Sequence, residues 1–247
     1  MQDKSTLSHV ASGMSRSIRP LLVASLLLMG SQAFGQQSYV GRYDVYAGYM
    51  YLNSPHIGLG ENGYHIQVGV RPSTWYSLGF DYSISYGDTA LTPSMLTTSL
   101  QTRLGGELGQ LVQAGLVPPT YALRVPISSQ TQTFSAGPQL AYRHFKSVTL
   151  FARPDLGAMR EVATPHPTDP ISTLVVSQLA PSGQKLDWVT FYGFGGGVDI
   201  NIGKHYSLRI QADLVHDHLF NDLLRDGRNT VRFAIGPGVQ WGKNVKK

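Results

Sequence analysis

Large apolar and small polar residues alternate without a break along residues Tyr76–Tyr86. Side chains of a β-strand point to opposite faces with a period of two, so one face of this segment must meet an apolar environment and the other a polar one. The stretch is about 11 residues long, which is the length that a tilted strand needs to cross a lipid bilayer. The pattern therefore predicts a membrane-spanning β-strand.

Seven further segments repeat this alternation, which brings the number of predicted strands to eight. They are predicted at Tyr43–Leu52, Tyr64–Arg71, Tyr76–Tyr86, Thr131–Arg143, Val148–Arg160, Trp188–Ile202, Tyr206–Val215 and Thr230–Trp241. Three connections are short turns, whereas the other four, at residues 53–63, 87–130, 161–187 and 216–229, are longer. Short turns at one end and long loops at the other are typical of bacterial outer-membrane barrels. The predicted fold is all-β: an eight-stranded antiparallel transmembrane up-and-down β-barrel with short periplasmic turns and long extracellular loops.

Charged residues occupy the face of these strands that lies opposite the apolar one. They are predicted to point into the lumen, because an arginine on the lipid face costs roughly 2–4 kcal/mol at mid-bilayer. Five carboxylates and five guanidiniums make up this lumen charge network: Asp44, Arg71, Asp81, Arg143, Arg153, Asp155, Asp199, Arg209, Asp213 and Arg232. An eight-stranded barrel has room only for side chains or one small ligand. The network therefore predicts a salt-bridged plug; the alternative is a narrow gated pore whose charges move apart.

Aromatic residues stand near the predicted strand ends, where the membrane meets water. Trp75, Trp188 and Trp241 occupy such positions. Tryptophan is enriched at both membrane–water interfaces because its ring is apolar and its N–H is polar. These three residues are predicted to belong to an interfacial aromatic girdle.

The first 35 residues have the features of a secretory signal peptide. A basic segment with Lys4, Arg16 and Arg19 precedes the apolar run Leu21–Met29, and small residues follow at Ala33 and Gly35. The apolar run is far shorter than the ~20 residues that a helix needs to cross a bilayer, which argues against a retained anchor. We therefore expect cleavage before Gln36, export to the outer membrane, and a single barrel domain over residues 36–247.

Composition narrows the range of functions further. Removal of the signal peptide would lower the formal net charge from +5 to +3, and no clustered Lys/Arg patch points to nucleic acid. The chain has no cysteine, which excludes disulfides and thiolate metal sites and suits passage through an oxidising periplasm. Neither a cofactor nor a metal is expected.

The chain resembles small outer-membrane β-barrel proteins of the OmpA-like transmembrane-domain type, from Tyr43 to Gly242. The resemblance rests on three segments, namely residues 45–52 (VYAGYMYL), 194–199 (FGGGVD) and 208–213 (LRIQAD), and on the closing strand before Gly242. It implies a monomeric barrel with a polar, plugged interior and usually no enzyme activity. Such barrels usually end on an aromatic residue that the insertion machinery recognises. Here Trp241 would have this role, although it is not the last residue. No peptidoglycan-binding domain is expected after the barrel, so a cell-wall tether is not carried over.

The second long loop carries a helical pattern. Thr92 and Pro93 form a plausible N-cap and first helical position, and leucines at positions 96, 100, 104, 108 and 111 give an apolar stripe. Gly115 and a Pro-Pro pair would end the helix. We expect this helix to fold its stripe over the barrel mouth or against other loops; the alternative is contact with the outer leaflet or a partner protein.

Residues His216, Asp217 and His218 end the seventh strand at the outer rim. Two imidazoles at i and i+2 share one face of an extended segment, so metal binding or a lipid-modifying activity at the rim are alternatives to simple solvation. The preferred prediction is an outer-membrane protein without enzyme activity that has a structural or surface-interaction role through its loops. A small-solute or ion channel is the first alternative and a rim enzyme acting on lipid or lipopolysaccharide the second. Membrane lipid, lipopolysaccharide and the insertion machinery are the expected partners.

Overall fold

The computed structural model describes residues 37–225 and 228–245, and in these ranges the chain forms one closed antiparallel β-barrel with the strand order 1 to 8. The strands are β1 (Gly41–Ser54), β2 (Leu59–Val70), β3 (Tyr76–Leu91), β4 (Val125–Tyr142), β5 (Val148–Pro165), β6 (Lys185–Ile202), β7 (Tyr206–Asp217) and β8 (Arg228–Asn244). The predicted fold class is confirmed. The predicted signal peptide lies outside the described residues.

Pairing between the first and last strands closes the barrel. Tyr43 lies opposite Trp241 and Leu52 opposite Arg232, so β1 and β8 pair along nearly their full length. Closure matters because an unpaired strand edge in lipid leaves backbone N–H and C=O groups without hydrogen bonds, at several kcal/mol for each group. Each strand of this barrel therefore has a neighbour on both sides.

All eight predicted strands are present, and each continues farther than predicted at the long-loop end. In β4, for example, the extension turns Val125, Ile127 and Ser129 inwards, whereas Ser128 and Gln130 face outwards. Apolar side chains thus occur on the inner face at the outermost part of the wall, whereas lower in the wall apolar residues face out. The extensions enclose these apolar side chains together with buried charged residues such as Glu161 and Arg228.

The first connection is short, because β1 and β2 both continue into it. Only residues 55–58 link the two strands, through a 3-10 turn at Pro55–Ile57 and a left-handed Gly58 with φ of 58°. A glycine adopts this conformation without the steric penalty of a Cβ atom. The prediction of a long loop over residues 53–63 was wrong.

Two helices lie in the long loops: α1 (Thr98–Gln113) and α2 (Pro170–Leu179). The predicted helix of the second loop is confirmed, but it starts at Thr98, because Pro93–Met95 forms only a separate 3-10 turn. Helix α2 was not predicted, although Asp169, Pro170 and Ser172 carry the sequence pattern of a capped N-terminus. Across the described part of the chain, no helix combines the length and apolar character that a membrane span requires.

Apolar side chains from the loops form a common core above the barrel mouth. We call this region the cap; it comprises residues 55–58, 92–124, 166–184 and 218–225 with the adjoining strand ends. Leu96 and Leu104 of the predicted stripe are buried in it, and Leu100 and Leu108 pack against it. The stripe therefore faces the barrel mouth and the other loops, as expected from the sequence. The molecule thus has a polar lumen below and an apolar core above.

Candidate functional site

The outer surface of the barrel is an apolar belt. Large apolar side chains of the wall are about half exposed, among them Leu78, Phe80, Phe194, Ile210 and Phe233. Soluble monomeric proteins rarely expose contiguous apolar patches larger than a few hundred Å². A continuous belt of this kind around a closed barrel is the surface of a protein embedded in a membrane.

The three predicted interfacial tryptophans are all exposed. Trp75 lies in the turn before β3 with its ring 5.7 Å from that of Tyr76, and the ring of Trp241 lies 6.1 Å from that of Tyr43. These two residues belong to the short-turn end of the barrel. Trp188 lies towards the long-loop end, where its ring stacks on Phe134 at 6.1 Å. The tryptophans thus mark both ends of the apolar belt, and their interfacial role stays a prediction.

The lumen nearest the short turns contains two ion pairs. The Arg209 guanidinium binds both carboxylate oxygens of Asp199, at 2.6 and 2.9 Å, and Arg71 lies 3.2 Å from Asp44. Two parallel N–H···O bonds make the Arg209 pair strong and fix its orientation. The Arg209 guanidinium also lies over the Phe151 ring at 4.4 Å, so ionic and aromatic contacts together hold it.

Arg143 lies just beyond the end of β4, at the short-turn end, and it is half-buried. It donates hydrogen bonds to the Thr74 carbonyl oxygen at 2.9 Å and to the side chains of Gln37 and Thr149, both at 3.2 Å. Gln37 in turn donates to Thr149 at 2.7 Å. Arg143 therefore ties the segment that precedes β1 across the lower opening of the barrel.

The middle of the lumen brings together the other five predicted residues, all of them buried. Arg232 lies 2.8 Å from Asp213 and 3.8 Å from both Asp81 and Asp155. Arg153 pairs with Asp81, lies 3.1 Å from Asp155 and reaches Asp213 at 3.6 Å. Two guanidiniums thus share three carboxylates in one connected network that spans the barrel interior.

Two further residues of this middle layer were not singled out from the sequence. His65 is buried and hydrogen-bonds Asp81 through its Nε2 atom, and the ring of Tyr46 meets that of His65 edge-on at 5.2 Å. Tyr46 is one of several large inward side chains of β1, with Met50 and Leu52. The strand alternation that places Asp44 and Asp81 inside also places these residues inside, so the same signal could have found them.

A third charged layer lies nearer the long loops and was missed. Arg228 lies 2.8 Å from Glu161 and 2.9 Å from Asp217, and all three side chains are buried. Glu61 accepts hydrogen bonds from Ser85 at 2.7 Å and from another hydroxyl nearby. The predicted strands were too short to include these four charged residues, which were assigned to loops. The lumen therefore carries more carboxylates than the predicted balance of five and five.

Space inside the lower lumen is small. The void beside Arg71, Arg143 and Arg209 has a volume of about 10 Å³. A cavity needs roughly 10–15 Å³ to hold one water molecule, so this void is at or below the size of a single water. Side chains fill the lumen at this level.

The rim histidines lie on one face of the strand, and Asp217 lies on the other. The rings of His216 and His218 are 5.0 Å apart, and His216 Nδ1 lies 2.9 Å from the Asn229 side-chain oxygen. Asp217 is buried and faces Arg228. Among residues 37–225 and 228–245, no group of three or more His, Asp or Glu side chains is arranged to hold a metal ion.

Comparison with known proteins gives similarity in structure only. No protein-family model matches the chain, and no curated protein matches it. The crystal structure of Neisserial surface protein A is 10% identical and has a TM-score of 0.48; the match covers 81% of this chain and 96% of that one. Outer membrane protein OprG from Pseudomonas aeruginosa is 7% identical with a TM-score of 0.48, over 84% of this chain and 99% of that one.

The attachment invasion locus protein Ail of Yersinia pestis, solved in complex with the heparin analogue sucrose octasulfate, is also similar. It is 13% identical with a TM-score of 0.42, over 81% of this chain and 99% of that one. The structures matched are small eight-stranded outer-membrane β-barrels. The fold that the resemblance stated from the sequence implies is confirmed by the closed eight-stranded barrel of this chain itself.

Proposed function

We propose that this protein is an integral outer-membrane β-barrel, without enzyme activity, that acts structurally or by surface interaction through its cap. The observation that carries the proposal is the division of the molecule into a lumen filled by paired charges and an ordered cap above it. A filled lumen leaves no evident path for a solute, whereas the cap offers a defined surface to the exterior.

The ion pairs support a lumen that stays closed. Opening a pore through the middle layer would require Arg232 or Arg153 to leave carboxylates at 2.8 to 3.6 Å. Removing one partner of a buried ion pair costs about 3–5 kcal/mol, because it leaves an uncompensated buried charge. We therefore expect no discrete conductance steps from the purified protein in planar bilayers. Regular steps that change in an Arg232→Ala variant would favour a channel instead.

The rim offers little support for an enzyme. Asp217, the carboxylate next to the rim histidines in sequence, is held by Arg228 at 2.9 Å on the opposite face. A lipid-modifying site would need a histidine with a carboxylate or nucleophile on the same side. We expect unchanged lipid and lipopolysaccharide profiles in a strain that carries His216→Ala and His218→Ala; altered profiles would contradict the proposal.

The apolar core of the cap supports a role that needs a fixed shape. The leucines of α1 pack into the apolar core of the cap. The polar side of the helix therefore faces outwards, and Arg103 and Glu107 form an ion pair at 3.0 Å on its surface. Loops with their own packed core present a constant arrangement of side chains, and binding residues are commonly found on loops held by a rigid barrel.

Single cysteines test the location and the orientation directly, since the chain has none of its own. In Leu116→Cys the new thiol lies in the cap, at a position that is 72% exposed, and in Lys204→Cys it lies in a short turn. A membrane-impermeant maleimide should label the first variant on intact cells and the second only after lysis. The reverse result would mean that the barrel has the opposite orientation in the membrane. Labelling of neither variant on intact cells would contradict the surface role.

A further inference from the structure

An apolar cavity of about 80 Å³ lies in the cap, between helix α2 and the inner face of the barrel wall. Helix α2 supplies Val175 and Leu179 to one wall, and Leu91 and Val125 at the ends of β3 and β4 supply another. Phe220, in the connection between β7 and β8, also lines the cavity. These elements come from distant parts of the sequence, so the cavity exists only in the folded cap.

The shape and lining of the cavity favour a narrow aliphatic ligand. Its walls are almost wholly apolar, and most of the side chains are aliphatic rather than aromatic. An engineered cavity of about 150 Å³ holds benzene, so a cavity about half that size suits the end of an alkyl chain better than a ring system. Lys185, which also lines the cavity, is partly exposed, so the cavity reaches solvent at this side chain.

Two ionisable side chains border the cavity, and they differ in availability. Glu161 is buried and already bound by Arg228 at 2.8 Å and by Ser129 at 3.1 Å. Lys185 reaches solvent and pairs with Asp222, whose side chain is 56% exposed. Exposed ion pairs contribute little, commonly below about 1 kcal/mol in other proteins, so a ligand carboxylate can replace Asp222 at small cost. The available charge at the cavity is therefore positive.

We propose that this cavity binds a free medium-chain fatty acid, with the end of the alkyl chain against α2 and the carboxylate at Lys185. The positive charge beside an aliphatic cavity matches an anionic amphiphile rather than a neutral hydrocarbon. Leu91 and Val125 face the inside of the wall, so an acyl chain of a membrane lipid would have to cross the strands to enter. The ligand comes from the aqueous exterior. This inference goes beyond the proposed surface role and does not depend on it.

The test uses the full-length mature barrel in lipid nanodiscs, titrated with octanoate by calorimetry. Val175→Phe places a ring in the cavity and should weaken octanoate binding by at least about tenfold. Leu174→Phe, a matched change at the neighbouring exposed position of the same helix, should leave the affinity unchanged. Ala180→Leu fills the cavity from another side and replaces Val175→Phe if that variant does not fold, as judged by its heat-dependent gel mobility.

The charge is tested separately with Lys185→Gln, which leaves the apolar walls intact. Octanol should bind more weakly than octanoate to the wild type, and the variant should reduce octanoate binding by about threefold without affecting octanol. Equal heats in the wild type and both cavity-filling variants would mean partition into the nanodisc lipid and would overturn the proposal. Octanol binding as tightly as octanoate would overturn the assignment of an anionic ligand. Neither failure would alter the cysteine-labelling result, so the two proposals can be judged separately.

Discussion

At the scale of single residues, the lumen depends on side chains that have almost no contact with solvent. Arg232 is 1% exposed and serves three carboxylates at once, with Asp213 nearest at 2.8 Å. The crowding is severe: Gly195 faces Asp213 so closely that an added Cβ atom would lie 1.8 Å from its Oδ1 atom. We therefore expect the network to tolerate neither the loss of a charged side chain nor the addition of a methyl group.

Replacement of Arg232 by methionine should destabilise the barrel by about 3–5 kcal/mol, because it leaves buried carboxylates without their cation. The measurement is the urea midpoint of unfolding from lipid vesicles, followed by gel mobility without heating. Arg103→Met is the matched control, since its pair with Glu107 is exposed and such helical pairs contribute about 0.2–0.5 kcal/mol. Equal stability of the two variants would show that the lumen pairs contribute little.

Gly195→Ala should cost about 1–3 kcal/mol, as expected for overpacking. The Asp213 carboxylate cannot simply turn away, because Arg232 and Gln211 both hold it at 2.8 Å. Gly106→Ala in α1 is the control, because an added Cβ atom there would meet nothing within 4 Å and alanine is the better helix former. The prediction fails if both alanine variants unfold at the same urea concentration as the wild type.

At the scale of elements, helix α2 illustrates how local sequence fixes a helix end inside a loop. The Asp169 carboxylate accepts hydrogen bonds from the Ile171 and Ser172 backbone N–H groups, both at 2.9 Å, and Ser172 Oγ accepts one from the Asp169 N–H at 3.1 Å. Tyr121 O–H also donates to Asp169 at 2.9 Å and so links α2 to the second loop. The start of α2 therefore depends on the ionised state of one carboxylate.

These contacts give α2 a predictable pH dependence. The hydrogen bond from the Ser172 backbone N–H, with the other donors, lowers the pKa of Asp169 below its ordinary value, and burial and this carboxylate raise the pKa of Tyr121 to about 12. A lowered carboxyl pKa stabilises α2 above the unfolded-state pKa, and this contribution is lost as the pH falls through the folded-state pKa. The backbone amides of α2 should therefore lose protection from hydrogen exchange below about pH 4. Protection here means the exchange rate after correction for the pH dependence of exchange in an unfolded chain.

Asp169→Asn is the control for this effect. Asparagine is also a good N-cap but does not titrate, so the variant should keep α2 and lose the pH dependence. If wild type and variant lose protection in parallel as the pH falls, the carboxylate is not the responsible group. The same exchange data would then point to another acidic group of the cap.

At the scale of the whole molecule, one barrel wall meets two environments along its length. The outer face is apolar around the lower and middle layers of lumen charges, and towards the long loops it becomes more polar while apolar side chains join the interior. At the level of the Trp188 ring, for instance, Arg160 approaches that ring from the neighbouring strand at 6.0 Å, as expected at a membrane boundary. Above this level the wall supports the cap rather than spanning lipid.

Arginine substitutions on the outer face should report the depth of the membrane. Phe194→Arg, at a 61% exposed position in the middle of β6, should cost about 2–4 kcal/mol, whereas Gln132→Arg nearer the long loops should cost about 0–1 kcal/mol. Unfolding from vesicles of defined lipid measures both. If the two substitutions cost the same, the belt does not lie in the hydrocarbon region.

The sequence by itself determined the number of strands, their direction and the inward charges of the lower and middle lumen. Alternation has a period of two whatever the rest of the fold, so residues such as Asp81 and Phe80 could be assigned to opposite faces from their spacing alone. The stripe of α1 was likewise visible, because leucines three and four residues apart lie on one side of a helix. Helix α2 was not predicted although its capping residues can be recognised in the sequence. Leu174 and Val175 do not form an apolar stripe as long as that of α1.

Only the tertiary structure decided which charges pair, how far the strands continue and where the cavity lies. Arg153 binds Asp81, 72 residues away in the chain, because β3 and β5 flank β4 and the barrel curvature, which no local pattern encodes, turns their inward side chains towards each other. The strand extensions were missed because the alternation is less regular there: the inner face carries both apolar and polar residues, as Val125 and Ser129 of β4 show. Alternation identifies the two faces of a strand, but only the closed barrel and its cap define the environment that each face meets.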